Sequence, residues 1–179
     1  MFQHKNSIFF IAPLLFLTQL LSAQSWIPKD LQTTTLIIEQ FKYYDPQYTL
    51  DDVDEEYEAR KIEFLNTTNL NLDNYNEKAD AIFKTYHHKY AMSAPGEINK
   101  LYPDVQQYRY ILRREPFFGN KKVLNAASNT VEDVSYFAYR YYFHDRQTKT
   151  DYTPYYFSGD LWLQMQRLVF WMNKAWQQK

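Results

Sequence analysis

The strictest alternation in the chain runs over residues 134–144. Phe137, Tyr139, Tyr141 and Phe143 fall on one side of an extended backbone, and Tyr136, Ala138, Arg140, Tyr142 and His144 fall on the other. That pattern predicts a strand with its Phe137 row in the core. Polar turn residues follow at 145–149, and 150–157 return as an antiparallel partner in which Pro154 belongs at a sheet edge. Beyond this hairpin, Leu161, Met165, Leu168, Met172 and Ala175 recur at helical spacing. They predict a long C-terminal helix, capped by Ser158 and carrying Asp160 in its first turn. At roughly 1.5–3 kcal/mol for each large apolar side chain buried, that helix is a major part of the core.

The first half is less regular. Leu36, Ile37 and Ile38 predict a strand buried on both faces. Turn residues Asp45, Pro46 and Gln47 lead to Asp51, which suits a helix cap, with Asp52, Asp54 and Glu55 in the first turn and Leu50, Val53, Tyr57 and Phe64 on the apolar side. Residues 66–71 interrupt that helix. Asn74 and Glu77 then form a capping box for a second one, whose stripe is Tyr75, Ala79, Ile82 and Tyr86. A short strand at 89–92, a helical turn at 97–102 and a strand at 108–114 come next. Pro116 is expected to end the last strand and to leave 117–130 as a loop, the segment expected to be most mobile. The order predicts an α/β or α+β fold: a single mixed-sheet sandwich of two or three layers, with a C-terminal β-hairpin followed by a long amphipathic helix.

Ahead of this body, residues 1–23 carry Lys5, an apolar run over 8–17 broken only by Pro13, and the small residues Ser22 and Ala23, which is the pattern of a secretory signal peptide. The run is shorter than the ~20 residues that span a bilayer. Residues 24–179 are then one globular domain, exported to the periplasm or the exterior. The chain has no cysteine, so it must hold together without disulfides and has no thiol for an N-terminal lipid. Its 20 Lys and Arg against 21 Asp and Glu, a formal net charge of −1, make no electrostatic case for nucleic acid. No second apolar stretch reaches membrane-spanning length, so no transmembrane segment is expected in the mature chain. The compositional outlier is tyrosine: 17 Tyr, 13 Phe and 4 Trp bring the aromatic share to 19%, whereas 3 Gly exclude a glycine-rich phosphate loop. Phenols at this density supply a stacking surface for sugars or peptides, or fill half-buried strands.

The strand around 36–38, the strand at 108–112 and the hairpin 139–152, whose turn reads Asp145, Arg146, Gln147, Thr148 and Lys149, together give an order of elements that resembles a known small domain. It is the periplasmic α/β domain found at the N-terminus of the Tol translocation protein and in lipoprotein activators of peptidoglycan synthases. The resemblance implies topology alone. In those families a glycine commonly follows the threonine, where this chain has Lys149, and the families' first-strand wording is absent, so no functional residue is carried over. The leader's end, Leu21, Ser22, Ala23 and Gln24, similarly resembles those of exported Bacteroidota proteins of unknown function.

Candidate chemistry is sparse. His87 and His88 are neighbours that point apart on a helix or strand, so a metal site needs a further ligand brought by folding; at the end of the second helix they would instead meet its dipole. His144 beside Asp145 suggests a base with an orienting acid, but adjacent strand residues face opposite ways and Asp145 also suits a turn. The acidic run Asp51, Asp52, Asp54, Glu55, Glu56 and Glu58 lacks calcium-loop spacing. Ser93, Ser128, Ser135 and Ser158 lack a nucleophile elbow. No metal or cofactor is implied. Trp171 is the one binding candidate, an indole in the otherwise polar helical row Gln164, Arg167, Trp171, Lys174 and Gln178. The expected function is an exported, non-catalytic accessory or binding protein of the cell envelope, with an envelope protein or a glycan as partner. The alternatives are a secreted or periplasmic hydrolase with an acidic site assembled only in the fold, and a purely structural subunit. Export predicts that N-terminal sequencing of the mature protein begins at Gln24; an intact chain retained in the cytosol would refute it.

Overall fold

Leu36, Ile37, Ile38 and Glu39 are all buried, and this short strand, β1 (Leu36–Glu39), lies inside a mixed six-stranded sheet. The computed structural model describes residues 26–46, 55–125, 128–156 and 160–175; the leader, the Asp51 cap and Ser158 lie outside them. Along the chain follow α1 (Glu56–Leu70), α2 (Leu72–Phe83), β2 (Tyr90–Ser93), α3 (Ile98–Leu101), β3 (Tyr110–Asn125), β4 (Thr130–Asp145), β5 (Thr150–Asp151), β6 (Tyr155–Tyr156) and α4 (Leu161–Lys174). The sheet order is β2-β1-β3-β4-β5, with β6 also on β4. β1 runs parallel to β2 and β3, while β3, β4, β5 and β6 pair antiparallel. Mixed α/β content with a helix after the last hairpin is what the patterning predicts.

α2 and α4 cover one face of the sheet, together with α1 and the N-terminal segment. Ala79 and Phe83 of α2, and Met165, Leu168, Val169 and Met172 of α4, meet Leu36, Ile38, Tyr110, Leu112, Tyr139, Tyr141 and Phe143. α1 adds Phe64, whose ring lies 5.3 Å from that of Tyr139. The other face is different. Among the described residues, only Ile98 of α3, with Tyr102 and Tyr108, packs on Ile37 and Ile111, so the described sandwich has two layers and most of one sheet face carries no described helix.

Three boundaries differ from the patterning. β3 does not stop at Pro116: it continues to Asn125, paired residue for residue with β4, so the expected loop is the outer half of a ribbon about 50 Å long at roughly 3.3 Å per residue. Proline fits because of its parity. The carbonyl of Arg114 turns away from β4 to accept from the Tyr44 hydroxyl, and two residues on, Pro116 directs its missing donor to the same open edge. Asn66 to Leu70 continue α1, because the helix uses them: Thr68 back-bonds to the Phe64 carbonyl and meets the Tyr139 hydroxyl at 2.6 Å, and the Asn69 amide pairs with both backbone groups of Tyr44. Asn71, not Asn74, marks the junction with α2, and Asn74 lies inside that helix. The cap of α4 is Asp160, which accepts from the amides of Trp162 and Leu163.

The edge opposite β2 keeps Pro154 where the patterning places it. Tyr152 donates to Phe143 and Tyr155 stands opposite Tyr141, so Thr153 and Pro154 together face Tyr142, a bulge that separates β5 from β6. The turn from β4 into β5 is tied by Asp145, which accepts from the amides of Gln147 and Thr148. Lys149 closes it at φ 57, in the left-handed region that favours glycine. Asp145 is also gripped by Arg109 through Nε and Nη2, the latter at 2.7 Å, while Nη1 of the same guanidinium reaches Asp30 at 2.7 Å.

Burial pushes the Asp145 carboxyl up, but the hydrogen bonds from Arg109 and from the Gln147 and Thr148 amides outweigh it and hold the group below the ordinary carboxylate range. Its contribution to stability is therefore complete above the unfolded value, about 3.9, and is lost as pH falls through the folded value. Asp145→Asn should cost about 2–4 kcal/mol at neutral pH and flatten the acid limb of stability, as measured by denaturant unfolding across that range. Lys149→Gly should stabilise the fold by about 1 kcal/mol, read as a raised melting midpoint, because glycine adopts the left-handed backbone without the Cβ penalty.

Candidate functional site

The helix-free face of the sheet is built by the odd residues of β3, the even residues of β4 and Tyr156 of β6, which stands opposite Arg140. Charge occupies its middle. Glu39 pairs with Arg113 at 3.4 Å, and Glu115 receives Nε of Arg140 at 2.9 Å and the hydroxyl of Tyr142 at 2.6 Å. Burial pushes the Glu115 carboxyl up, while the hydrogen bonds from Tyr142 and Arg140 and the Arg140 charge pull it down further, so it stays below the ordinary carboxylate range. Burial and that same carboxylate push the Tyr142 phenol up. The triad is thus a fixed anion with a neutral phenol and a guanidinium around it.

Next to the triad lie three aromatic rings. Phe117 sits 4.7 Å from Tyr156 and 5.8 Å from Tyr136 between centroids, and Tyr156 is 46% exposed. Gly119, opposite Tyr136 in the register, makes this possible. A Cβ there would meet the Phe117 ring at 2.9 Å and the Tyr136 ring at 3.3 Å, so the missing side chain lets both rings lie down on the strand. Beside Tyr156, a 290 Å³ hollow is lined by Glu115, Arg140, Tyr142, Asp151, Tyr152 and Pro154, among others. At its rim His144 Nδ1 meets Asp151 at 2.7 Å. Aromatic faces beside an ionised carboxylate and a guanidinium suit a neutral, hydroxyl-rich ligand that offers apolar faces and polar edges.

The residues singled out from sequence fall elsewhere. Trp171 is 45% exposed on α4, on the opposite side of the molecule, with Phe170 5.6 Å away and Lys174 above both rings. Its supposed row is broken, because Gln164 turns inward to 3% exposure. His87 and His88 lie past the end of α2, in the connection to β2, where they line a 460 Å³ hollow with Thr33, Thr34, Thr35 and Gln107. Helix α2 ends earlier because Thr85 and Tyr86 fold back on Ile82 and Phe83. His144 and Asp145 point to opposite faces: Asp145 holds the turn, and the acid that His144 meets is Asp151 across the strand pair. Of the acidic run, Glu56 and Glu58 occupy the first turn of α1, and Glu58 pairs with Lys61 at 3.2 Å. Ser93 is buried at the end of β2 and Ser128 bonds to Thr130 in a turn. Among the described residues, no group of three or more His, Asp or Glu is placed to hold a metal ion.

Sequence reasoning passed over Phe117, because Pro116 hid the strand, and over Glu115 and Arg140, because a single charge on an alternating strand is ordinary. The usable signal is that the second row of β4 carries Tyr136 and Tyr142 as well as Arg140, a mixed face rather than a solvated one. Comparison with family models, with curated proteins and with solved structures gives no match.

Proposed function

We propose that this chain is an exported, non-catalytic accessory or binding protein of the cell envelope, and that its ligand is a glycan held on the helix-free sheet face. The observation that carries the reading is the row Tyr136, Phe117 and Tyr156 set directly beside Glu115, Arg140 and Tyr142. Sugar rings present an apolar C–H side to an aromatic face and hydroxyls at their rim, which a carboxylate and a guanidinium hydrogen-bond from fixed positions. The site needs little reorganisation to bind, because its charges are already paired and its rings already seated.

A second reading, a secreted or periplasmic hydrolase, has one observation in its favour, the His144–Asp151 pair at the rim of the same hollow. Against it, Glu115 is held ionised by Arg140 and Tyr142, so it is a poor proton donor at neutral pH.

Retention on insoluble cell-wall and capsular polysaccharides separates the two readings. Tyr156→Ala and Phe117→Ala should each weaken retention about tenfold, the worth of a lost stacking contact, with melting of Tyr156→Ala unchanged. His144→Ala should bind like wild type. Wild type that no polysaccharide retains would refute the glycan reading, and sugar release that His144→Ala abolishes would establish the hydrolase.

A further inference from the structure

Helix α4 is apolar on two sides. Its inner side, Met165, Leu168, Val169 and Met172, is the centre of the core. Its outer side repeats at Leu163, Arg167, Phe170, Trp171 and Lys174, the i, i+4, i+7, i+8 and i+11 positions of one stripe. Leu163, Phe170 and Trp171 are 41%, 53% and 45% exposed. A surface helix of a globular fold normally turns polar residues outward, so this outer side is built to be covered.

We propose that the outer side of α4 docks on the surface of an anionic lipid bilayer. Charge selects that occupant. No residue of α4 is acidic; the carboxylate that precedes it in the chain, Asp160, is committed to capping the amides of Trp162 and Leu163. Lys174 Nζ stands 5.1 Å from the Phe170 ring and 5.9 Å from the Trp171 ring, a cation fixed at the aromatic edge. Lys78 of α2 extends the positive border by lying 4.8 Å over Trp162. The acids of α2 face away from this side: Asp73, Glu77 and Asp80 line a hollow with Gln40 and Met92 at the β2 edge, and Asp80 accepts from Tyr90. Indole and phenyl rings with an aliphatic neighbour, flanked by Lys and Arg, are the residues that lie at the boundary of headgroups and acyl chains. A second copy is disfavoured, since α4 of that copy would offer Arg167 and Lys174 no carboxylate to pair with. The protein lies on the bilayer rather than through it, as no described helix is long and apolar enough to cross one.

Flotation of the processed protein with liposomes is the test, using phosphatidylglycerol–phosphatidylcholine vesicles against pure phosphatidylcholine at low salt. The protein should float with the anionic vesicles and remain below with the neutral ones. Phe170→Ser with Trp171→Ser, and separately Arg167→Glu with Lys174→Glu, should each reduce flotation at least about tenfold with unchanged melting, as loss of the apolar and the electrostatic contributions requires. Wild type that does not float, or that floats equally with neutral vesicles, overturns the proposal. So does a wild-type dimer in solution that Trp171→Ser dissociates, since a second copy would then be the occupant.

Discussion

One register holds this molecule together, that of β3 against β4. Each carries a buried row and a mixed row at a period of two, so a slip by one residue would bring Phe143 and Tyr141 out of the core and put Arg140 and His144 into it. The register is fixed at the end where the turn is tightest. Arg109, just before β3, grips Asp145 at the end of β4, gives its carbonyl to the Arg146 amide and reaches Asp30 in the N-terminal segment. Asp145 in turn receives the amides of Gln147 and Thr148, and Tyr110 donates to Asp30. A single guanidinium therefore joins the ladder, the following turn and the segment that leads into β1. Slipping the ladder would leave Asp145 buried without its cation, which costs several kcal/mol.

That register also decides which face becomes core and which stays open. On the helix side, Arg114 is stacked on Phe41 with its ring centroid 3.2 Å from the guanidinium carbon, and it donates to the Glu39 carbonyl. Full burial lowers its pKa, so the charge is kept at an energetic cost. What it holds is the chain after β1. Residues 41–44 lie outside the strands, and the backbone groups of Phe41 and Tyr44 are taken up by the side-chain amides of Asn76 and Asn69 instead. On the open side the same strand end is gripped through the Glu39 carboxylate by Arg113. With β1 fixed from both faces, the sheet needs no second helical layer, and the odd residues of β3 are left available for contacts of another kind.

Local sequence carried most of this architecture where burial is one-sided and long. The Phe137 row and the Met165 row each run through many turns or pleats with a consistent period; Tyr139, Tyr141, Phe143 and the Met165 row are in the core as expected, while Phe137 itself is half-buried with its ring 6.0 Å from that of Phe64. The signal failed where a residue's usual meaning depends on what stands opposite. Pro116 ends strands whose N–H must reach a partner, and here that position faces an open edge. Thr68 and Asn69 disfavour helices when they compete with the backbone, but their competition is satisfied by Tyr139 and Tyr44, residues distant in sequence. Gln164 has the spacing of a polar-face residue with Arg167 and Trp171, but it lies one turn before Leu168 at the margin of the buried side, where it lines a small hollow with Thr68 and Tyr139. The open-face cluster was legible only in part, since Phe117 and Tyr156 meet through pairing of three strands that no local pattern specifies.

The two aromatic groups, one half-buried on the sheet and one exposed on α4, differ in chemistry as well as in place. On the sheet, the rings are two phenols and one phenyl beside a salt-bridged carboxylate, a composition that keeps water and hydroxyls close. On α4 they are indole and phenyl with cations and no acid among the residues of the helix, a composition that favours a charged, greasy boundary. Because α4 packs on the helix side, its outer stripe points away from the sheet, and the Tyr136 row lies on the reverse of that sheet with a full layer of core between them. A bilayer under α4 and a glycan on the sheet would accordingly not compete for space. The rigid ladder at Arg109 would hold the second surface facing outward from the first, so that anchoring and capture become independent properties of one small fold.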